Sequence, residues 1–430
     1  MVALNRRGIS RRLVGRVRQL LRSASLRDCL HLSNGVSLTE FGEPDKDIFF
    51  GYYDVTPFGP GDRTLLAMRR PAEPVAQAAG TPVELGVYRI GDPAPRFRRF
   101  GLSTAWCWQQ GCRLQWWRDG TDGRVIYNRT DHGRHEAVIQ SVETGEILSV
   151  FERPVYSVAA DGASAVTLNF ARLQHMRPGY GYGDLDDPFE SEAAPREDGL
   201  WQVDLVTGGN RLLLSLAEIA AFQPESSMQG AKHYFNHLLW SPDGSRFFFL
   251  HLWQAPQGRR YSRAFVWERA TRKFVFLGAK DHFSHHWWIS EDRLLAYSTH
   301  HDTGRHYHLY RLAEGARDVV APDLLLEDGH PSTSPLDASL LLTDTYPDPA
   351  GDQHLLLYDG RGDRLLRVGD FYSPPAFRGE VRCDLHPRWS RRGTLVCVDS
   401  AHRGQRRLCL LDIEELLRAN DHLSPPAAPS

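Results

Sequence analysis

The chain has 430 residues with 51 basic and 53 acidic side chains, which gives a formal net charge of −2, and 41% of its residues are hydrophobic. This balance is typical of a soluble globular protein and argues against a nucleic-acid partner, because phosphate backbones require a strongly basic surface. No apolar run approaches the roughly 18 residues of a transmembrane helix. Six cysteines without a CxxC pair or a secretory leader favour reduced thiols and a cytoplasmic location.

The first 30 residues carry eight arginines, with leucine and valine at helical spacing. This pattern predicts a basic N-terminal helical segment over residues 1–45, which packs on the main body or docks a partner. The chain has only four lysines among its basic residues, so its arginine richness is general and does not indicate a targeting signal. At the other end, the sequence SPPAAPS predicts a disordered tail over residues 417–430.

Between these ends, one unit recurs: an apolar strand, a turn resembling SPDG, and further strands that end in a polar turn. Its clearest copy is FNHLLWSPDGSRFFFLHLW followed by RAFVWERATRKFVFLG, and seven copies can be aligned. Repeated groups of four short antiparallel strands are typical of a β-propeller, and the helical crossovers of a doubly wound sheet are missing. We therefore predict an all-β fold, a seven-bladed β-propeller over residues 46–416.

One long interruption lies inside the third copy, at residues 171–198 (ARLQHMRPGYGYGDLDDPFESEAAPRED). Its glycine, proline and aspartate content predicts a loop. Two interpretations remain open, a loop that covers a pocket on one face of the disc and an inert surface excursion.

The copies share a position five residues before the proline of the SPDG-like turn. It holds Val55, Arg113, Val155, His237, His285, His330 and His386. The first strand of each propeller blade lines the central channel, so a shared register predicts a shared height. Four consecutive blades would thus present imidazoles at one level, with Arg113 across the ring. The alternative is a scaffold role, in which each histidine ties strands together by hydrogen bonds.

Imidazole is a common ligand of divalent metals, and it also titrates near neutral pH. Asp384 adds a carboxylate two residues before His386, on the same face of the strand. Together, these groups predict a metal site at the channel mouth that keeps a position open for a carboxylate-bearing molecule. The cluster STHHDTGRHYH falls between later strands of its blade and predicts a solvated hairpin. Motifs of serine hydrolases, HExxH metalloproteases and nucleotide-binding loops are missing.

These motifs are similar to those of the oligogalacturonate lyase family, seven-bladed propeller enzymes that cleave uronate oligosaccharides by β-elimination with Mn²⁺. FNHLLWSPDG is similar to the segment that supplies the family's catalytic base, which falls on His237. SHHWW and DLHPRWS are similar to metal-ligand segments, which places ligands on His285 and His386. GHPSTSP matches a blade start with a histidine, His330, for which the resemblance implies no firm role.

The sequence also departs from the family pattern. Asp384 stands where the family has a second histidine, and Glu380, Val381 and Arg382 occupy the stretch that holds a glutamine ligand. The family's assisting arginine precedes the VDL strand, where this chain has Glu197, with Arg196 one residue away. The resemblance therefore implies a distant relative with an altered metal shell.

Taken together, the sequence predicts a metal-dependent lyase that acts on a uronate-containing, acidic oligosaccharide. His237 would be the general base, and His285, His330, Asp384 and His386 would bind a divalent metal, with Mn²⁺ as the expected ion. Arg113 would neutralise a neighbouring carboxylate. Four aromatic residues are candidates for stacking on sugar rings or for the core: Trp106, Trp108, Trp287 and Tyr180. Two alternatives remain, a non-catalytic binding module for an acidic glycan or protein, and a metal-dependent hydrolase or epimerase.

Overall fold

The computed structural model describes residues 29–72, 80–278 and 282–421, and these ranges fold into seven antiparallel sheets arranged as the predicted propeller. The first two strands, β1 (Leu30–Leu32) and β2 (Ser37–Phe41), precede the first blade. Blade 1 contains β3 (Lys46–Phe49), β4 (Thr64–Pro71), β5 (Val83–Arg89) and β6 (Arg98–Ser103). Blade 2 contains β7 (Gln115–Trp116), β8 (Arg124–Asp131), β9 (Arg134–Ser141) and β10 (Ile147–Phe151).

The next three blades follow the same order. Blade 3 contains β11 (Ser157–Val158), β12 (Ser164–Thr167), β13 (Gly199–Asp204) and β14 (Asn210–Ser215). Blade 4 contains β15 (Lys232–Trp240), β16 (Arg246–Gln254), β17 (Arg260–Glu268) and β18 (Lys273–Phe276). Blade 5 contains β19 (Phe283–Trp288), β20 (Arg293–His300), β21 (Gly304–Arg311) and β22 (Ala316–Val320).

The last two blades are completed by the N-terminal strands. Blade 6 contains β23 (Ser332–Thr333), β24 (Leu340–Asp344), β25 (Asp352–Asp359) and β26 (Arg364–Tyr372), with β1 added outside β26. Blade 7 contains β27 (Arg388–Trp389), β28 (Leu395–Ser400) and β29 (Arg407–Asp412), with β2 as its outer strand. Antiparallel pairing joins Leu30 to Phe371 and Ser37 to Asp412, so the start of the described chain is bonded to its end.

This pairing corrects the predicted N-terminal helical segment. Residues 29–45 contain β1 and β2 instead of a helix, because β2 supplies the fourth strand of blade 7 and β1 adds a fifth strand at the outer edge of blade 6. The rest of that segment, residues 1–28, lies outside the described residues. The described α-helices are α1 (Phe170–Met176), α2 (Leu216–Ala221) and α3 (Glu414–Ala419), with 3₁₀ turns at Pro60–Asp62, Ser226–Met228 and Gly379–Val381. Thus α3 enters the predicted disordered tail, and residues 422–430 are outside the described part.

Blade 4 shows why the repeat folds as it does. Phe247, Phe248 and Phe249 in β16 are all buried, because a strand inside a blade packs against neighbouring blades on both of its faces. The SPDG turn before it is closed by a hydrogen bond from the Gly244 amide to the Ser241 carbonyl (2.9 Å), and Gly244 has a φ of +66°. A glycine adopts that conformation at little cost, which fixes where the strand pair reverses.

The hydrophobic core runs between adjacent sheets around the disc, and the largest cluster joins blades 3, 4 and 5. All six cysteines are free thiols; five lie in the core of the propeller and Cys29 lies just before β1. None of the helices in the described ranges has the length and hydrophobicity that a membrane-spanning helix requires.

Candidate metal centre and catalytic site

The shared position lies at the inner end of each blade. His237 and His285 lie within β15 and β19, whereas Arg113, His330 and His386 come shortly before β7, β23 and β27. Three of these residues have a left-handed backbone, with φ of +57° at Arg113, +56° at His237 and +45° at His386. Such conformations cost about 1–3 kcal/mol each in non-glycine residues and are concentrated at functional sites. The recurring distortion therefore indicates a constrained position.

The structure brings the four histidines of this position together near the axis, and we call them the histidine group. Ring centroids are 4.1 Å apart for His285 and His330, 4.3 Å for His330 and His386, and 6.1 Å for His237 and His285. Each ring is 2–3% exposed. Four imidazoles from consecutive blades thus share one buried space.

Three donors of this space are close enough to share an ion. One ligand atom each from His330, Asp384 and His386 lies within 4.8 Å of the others. Donors about 2.1 Å from one ion are at most about 4.2 Å apart, so small side-chain shifts suffice for common coordination. Moreover, the Nε2 atoms of His330 and His386 are buried and have no hydrogen-bond partner among the described residues. A cation would satisfy both atoms, so the residues present fit a divalent metal.

Two aspartates contact Nδ1 atoms of the histidine group and orient these imidazole rings. Asp344 accepts hydrogen bonds from the backbone N–H of His330 (2.8 Å) and of His386 (3.2 Å), and its Oδ1 lies 2.8 Å from Nδ1 of His330. Asp328 is 2.9 Å from Nδ1 of His285. A carboxylate on one ring nitrogen leaves the other nitrogen available to a metal, as is usual for histidine ligands.

Burial keeps the histidine group uncharged at neutral pH. It lowers the pKa of His330 to about 4 and the pKa values of His237 and His386 well below the ordinary value. Burial also lowers the pKa of His285, although the charge of Asp328 opposes that shift. Neutral imidazole is the form that binds metals or accepts a proton.

His237 stands at the edge of the group, beside tyrosine rings. The ring of Tyr52 stacks on it at 5.3 Å and 24°, and the ring of Tyr180 meets it edge-on at 6.0 Å. Its Nδ1 is buried without a hydrogen-bond partner among the described residues. After burial, the positive charge of Arg177 makes the largest contribution to lowering the pKa of His237. The arrangement provides a neutral base with a free ring nitrogen.

Segment 171–198 packs against His237 through Tyr180, and we call this segment the lid. In addition to Tyr180, which packs against His237, the lid contacts the stretch before Asp384. Gln174 Nε2 donates to Glu380 Oε1 (3.0 Å), and Arg382 donates to the Tyr180 hydroxyl (3.1 Å). Of the two interpretations left open by the sequence, these contacts disfavour an inert surface excursion, because the segment packs against the histidine group and the stretch before Asp384.

Arg113 is occupied elsewhere. Its guanidinium forms a bidentate pair with Asp54 (3.0 and 2.9 Å) and donates to the Tyr156 carbonyl (2.7 Å), and its side chain is 1% exposed. No hydrogen bond among the described residues joins it to the histidine group. Because its donors are committed to Asp54 and the backbone, the predicted role of Arg113 toward a substrate carboxylate is not supported by its position.

The second histidine cluster differs from the predicted solvated hairpin. His301 is exposed, but His300 and His308 are buried between β20 and β21. His300 Nε2 lies 2.6 Å from the Tyr310 hydroxyl, and His308 Nδ1 lies 3.0 Å from the Ser298 hydroxyl. These rings are satisfied by hydroxyl groups and serve packing within the blade.

Of the four aromatic candidates, only Tyr180 contacts the histidine group. Trp106 and Trp108 are buried and pack against Phe49, at centroid distances of 5.7 and 5.1 Å. Trp287 is partly buried and donates its indole N–H to Thr333 (3.0 Å). The tryptophans therefore belong to the packing of the blades.

Sequence reasoning missed several residues of the site: Tyr52, Asp344, Arg177 and Arg382. The Nε–H of Arg382 donates to both carboxylate oxygens of Asp384 in a bifurcated hydrogen bond, at 2.8 and 2.7 Å. The repeats give no signal for these residues, since none occupies the shared position. Only Tyr52 carries a local hint, because the YYD stretch lies close to that position in the first copy.

Comparison with solved structures supports the fold. An oligogalacturonate lyase in complex with manganese matches with a TM-score of 0.63 at 15% identity, covering 89% of this chain and 95% of that chain. The oligogalacturonate lyase from Vibrio parahaemolyticus matches with a TM-score of 0.58 at 12% identity, covering 89% and 97%. No protein-family model and no curated protein matches the sequence. The similarity to oligogalacturonate lyases, expected from the motifs, is thus confirmed for the fold.

Proposed function

We propose that this protein is a metal-dependent lyase that cleaves a uronate-containing oligosaccharide by β-elimination. The observation that carries the proposal is the buried group of four neutral imidazoles, in which His330 and His386 present unpartnered Nε2 atoms beside Asp384. His285 adjoins His330 and completes the ligand set. The solved lyase in complex with manganese makes Mn²⁺ the first metal to test.

When bound, a divalent cation would attract the uronate carboxylate and stabilise the negative charge that develops next to it. His237 accepts the proton from the carbon α to that carboxylate, since it is neutral and has a free nitrogen. The electron pair left on that carbon forms a C=C bond while the bond from the β-carbon to the glycosidic oxygen breaks. The leaving oxygen takes up a proton from a water molecule, and His237 returns its proton to solvent when the product leaves. The lid excludes bulk water during these steps.

The test is the ultraviolet absorbance of the 4,5-unsaturated product, screened over uronate oligosaccharides with Mn²⁺ and with a chelator. We expect product only with metal. His237→Gln should lower the rate by about 10²–10⁴-fold, the usual contribution of a general base, and should leave the metal content unchanged. His251→Gln is the matched control, because His251 is a fully buried histidine of the same blade outside the group.

His386→Ala should instead lose bound metal, measured by elemental analysis, together with the activity. The proposal fails if no uronate yields unsaturated product, or if His237→Gln retains the full rate. A protein that binds an acidic glycan without forming that product would be the binding module considered above.

A further inference from the structure

Three polar groups around His237 and the lid lack a hydrogen-bond partner among the described residues. The guanidinium of Arg177 stacks on the Tyr180 ring, with its carbon 3.9 Å from the centroid, and forms no hydrogen bond or ion pair with another described residue. The phenol oxygens of Tyr52 and Tyr234 are buried and also lack a hydrogen-bond partner among the described residues. Both phenols are among the groups that interact electrostatically with Arg177.

These groups come from three separate elements. Tyr52 follows β3, Arg177 is the C-cap residue of α1 within the lid, and Tyr234 lies in β15. Each buried polar group without a partner costs about 1–3 kcal/mol, so the two phenols carry a substantial penalty, and the partly buried guanidinium of Arg177 adds a charge without a partner among the described residues. Such penalties are typical of binding sites, where a ligand supplies the missing partners.

The donor types define the ligand. An arginine is always charged and offers a planar set of N–H donors, and a protonated phenol offers one O–H. A phenol has an ordinary pKa of about 10, so both tyrosines offer their O–H groups at neutral pH. Three donors and one positive charge match a carboxylate, which offers about four acceptor positions.

We infer that Arg177, Tyr52 and Tyr234 form a carboxylate-binding site beside His237, which selects acidic over neutral sugars. This inference rests on the proposed function and assigns to Arg177 the role that the sequence predicted for Arg113. Since Arg177 belongs to the lid, a bound carboxylate also holds the lid against the blades.

The test is calorimetric binding of digalacturonate and of its neutral dimethyl ester to the full chain in chelator, where no metal contributes and no turnover occurs. We expect the wild type to prefer the acid over the ester by about 10- to 100-fold, as charge-assisted hydrogen bonds provide. Arg177→Met should remove this preference and leave ester binding unchanged, whereas Arg177→Lys should retain part of it. Tyr52→Phe and Tyr234→Phe should each lower acid binding by about 3- to 10-fold.

The matched controls are Arg153→Met and Tyr88→Phe. Arg153 is also partly buried and stacks on an aromatic ring, Trp201 (3.4 Å), and Tyr88 is a buried phenol of blade 1. Both controls should keep the wild-type preference. The inference is overturned if Arg177→Met keeps it with an unchanged melting temperature, or if the wild type binds acid and ester equally. Formation of unsaturated product with metal judges the lyase separately, so the two failures are distinguishable.

Discussion

Asp344→Asn tests whether the carboxylate behind the histidines controls the metal centre. In the wild type, Asp344 accepts the backbone N–H groups of His330 and His386 and faces Nδ1 of His330. The asparagine has one carbonyl oxygen and one NH₂ group, so it can accept two N–H groups but must donate at its other end. If NH₂ donates to Nδ1, the ring proton moves to Nε2, which then cannot bind a metal.

The expected magnitude follows from these contacts. Loss of a carboxylate behind a ligating histidine lowers metal affinity by about 10- to 100-fold, which corresponds to about 1.4–2.7 kcal/mol. In addition, a buried backbone N–H that faces a poorer acceptor lowers the free energy of unfolding by about 1–3 kcal/mol. We therefore expect a folded protein with weakened Mn²⁺ binding and a lower melting temperature.

The assay is Mn²⁺ titration by calorimetry, with melting temperatures measured with and without metal. Asp359→Asn is the control, because Asp359 is equally buried in the same blade but pairs with Arg364 (3.0 Å). It should change stability without changing metal affinity. If Asp344→Asn binds Mn²⁺ as tightly as the wild type, the orienting role of this carboxylate is refuted.

Three further predictions concern the scaffold. Arg113→Met should lower the free energy of unfolding by about 3–5 kcal/mol, because it leaves Asp54 as an unpaired buried charge. Denaturant titration measures this loss, and an unchanged unfolding midpoint would contradict the ion-pair assignment. Burial lowers the pKa of His233 from 6.5 to about 4 and lowers the pKa of His251 well below 6.5. Between these values the unfolded state binds more protons than the folded state. The free energy of unfolding should therefore fall as the pH drops from 6.5 toward 4. Melting temperatures across this pH range should fall less in His251→Gln than in the wild type. If the melting temperatures of the two proteins fall equally with pH, protonation of His251 does not cause the loss of stability. Deletion of residues 1–41 should abolish cooperative unfolding seen by circular dichroism, since blades 6 and 7 lose their outer strands; a native melting profile would show that these strands are dispensable.

The sequence predicted those parts of the molecule that repeat. The SPDG-like turn recurs in each blade, so its alignment identified the blade number and placed His237, His285, His330 and His386 in one register. Register is a local property, because side chains alternate along a strand and each innermost strand has the same direction. For the same reason, the convergence of the imidazoles was predictable before any distance was known.

The remainder of the site depends on partners far apart in the chain. The sequence suggested that Arg113 could bind a substrate carboxylate, because its bidentate contact with Asp54 joins residues 59 positions apart and leaves no local signal. Similarly, nothing in the local pattern around Arg177 distinguishes it from the other arginines of this chain. The strands over residues 30–41 were missed because the arginine-rich stretch before them favoured a helix, whereas their pairing partners are more than 300 residues later.

The pairing of β1 with β26 and of β2 with β29 has a consequence for biosynthesis. Both blades that carry His330, Asp384 and His386 obtain their outermost strand from the first part of the described chain. On a ribosome, that part emerges early and must wait without its partners until the last blade has been translated. We therefore expect uptake of the proposed metal ion to follow release of the finished polypeptide, so that metal loading reports completion of the ring.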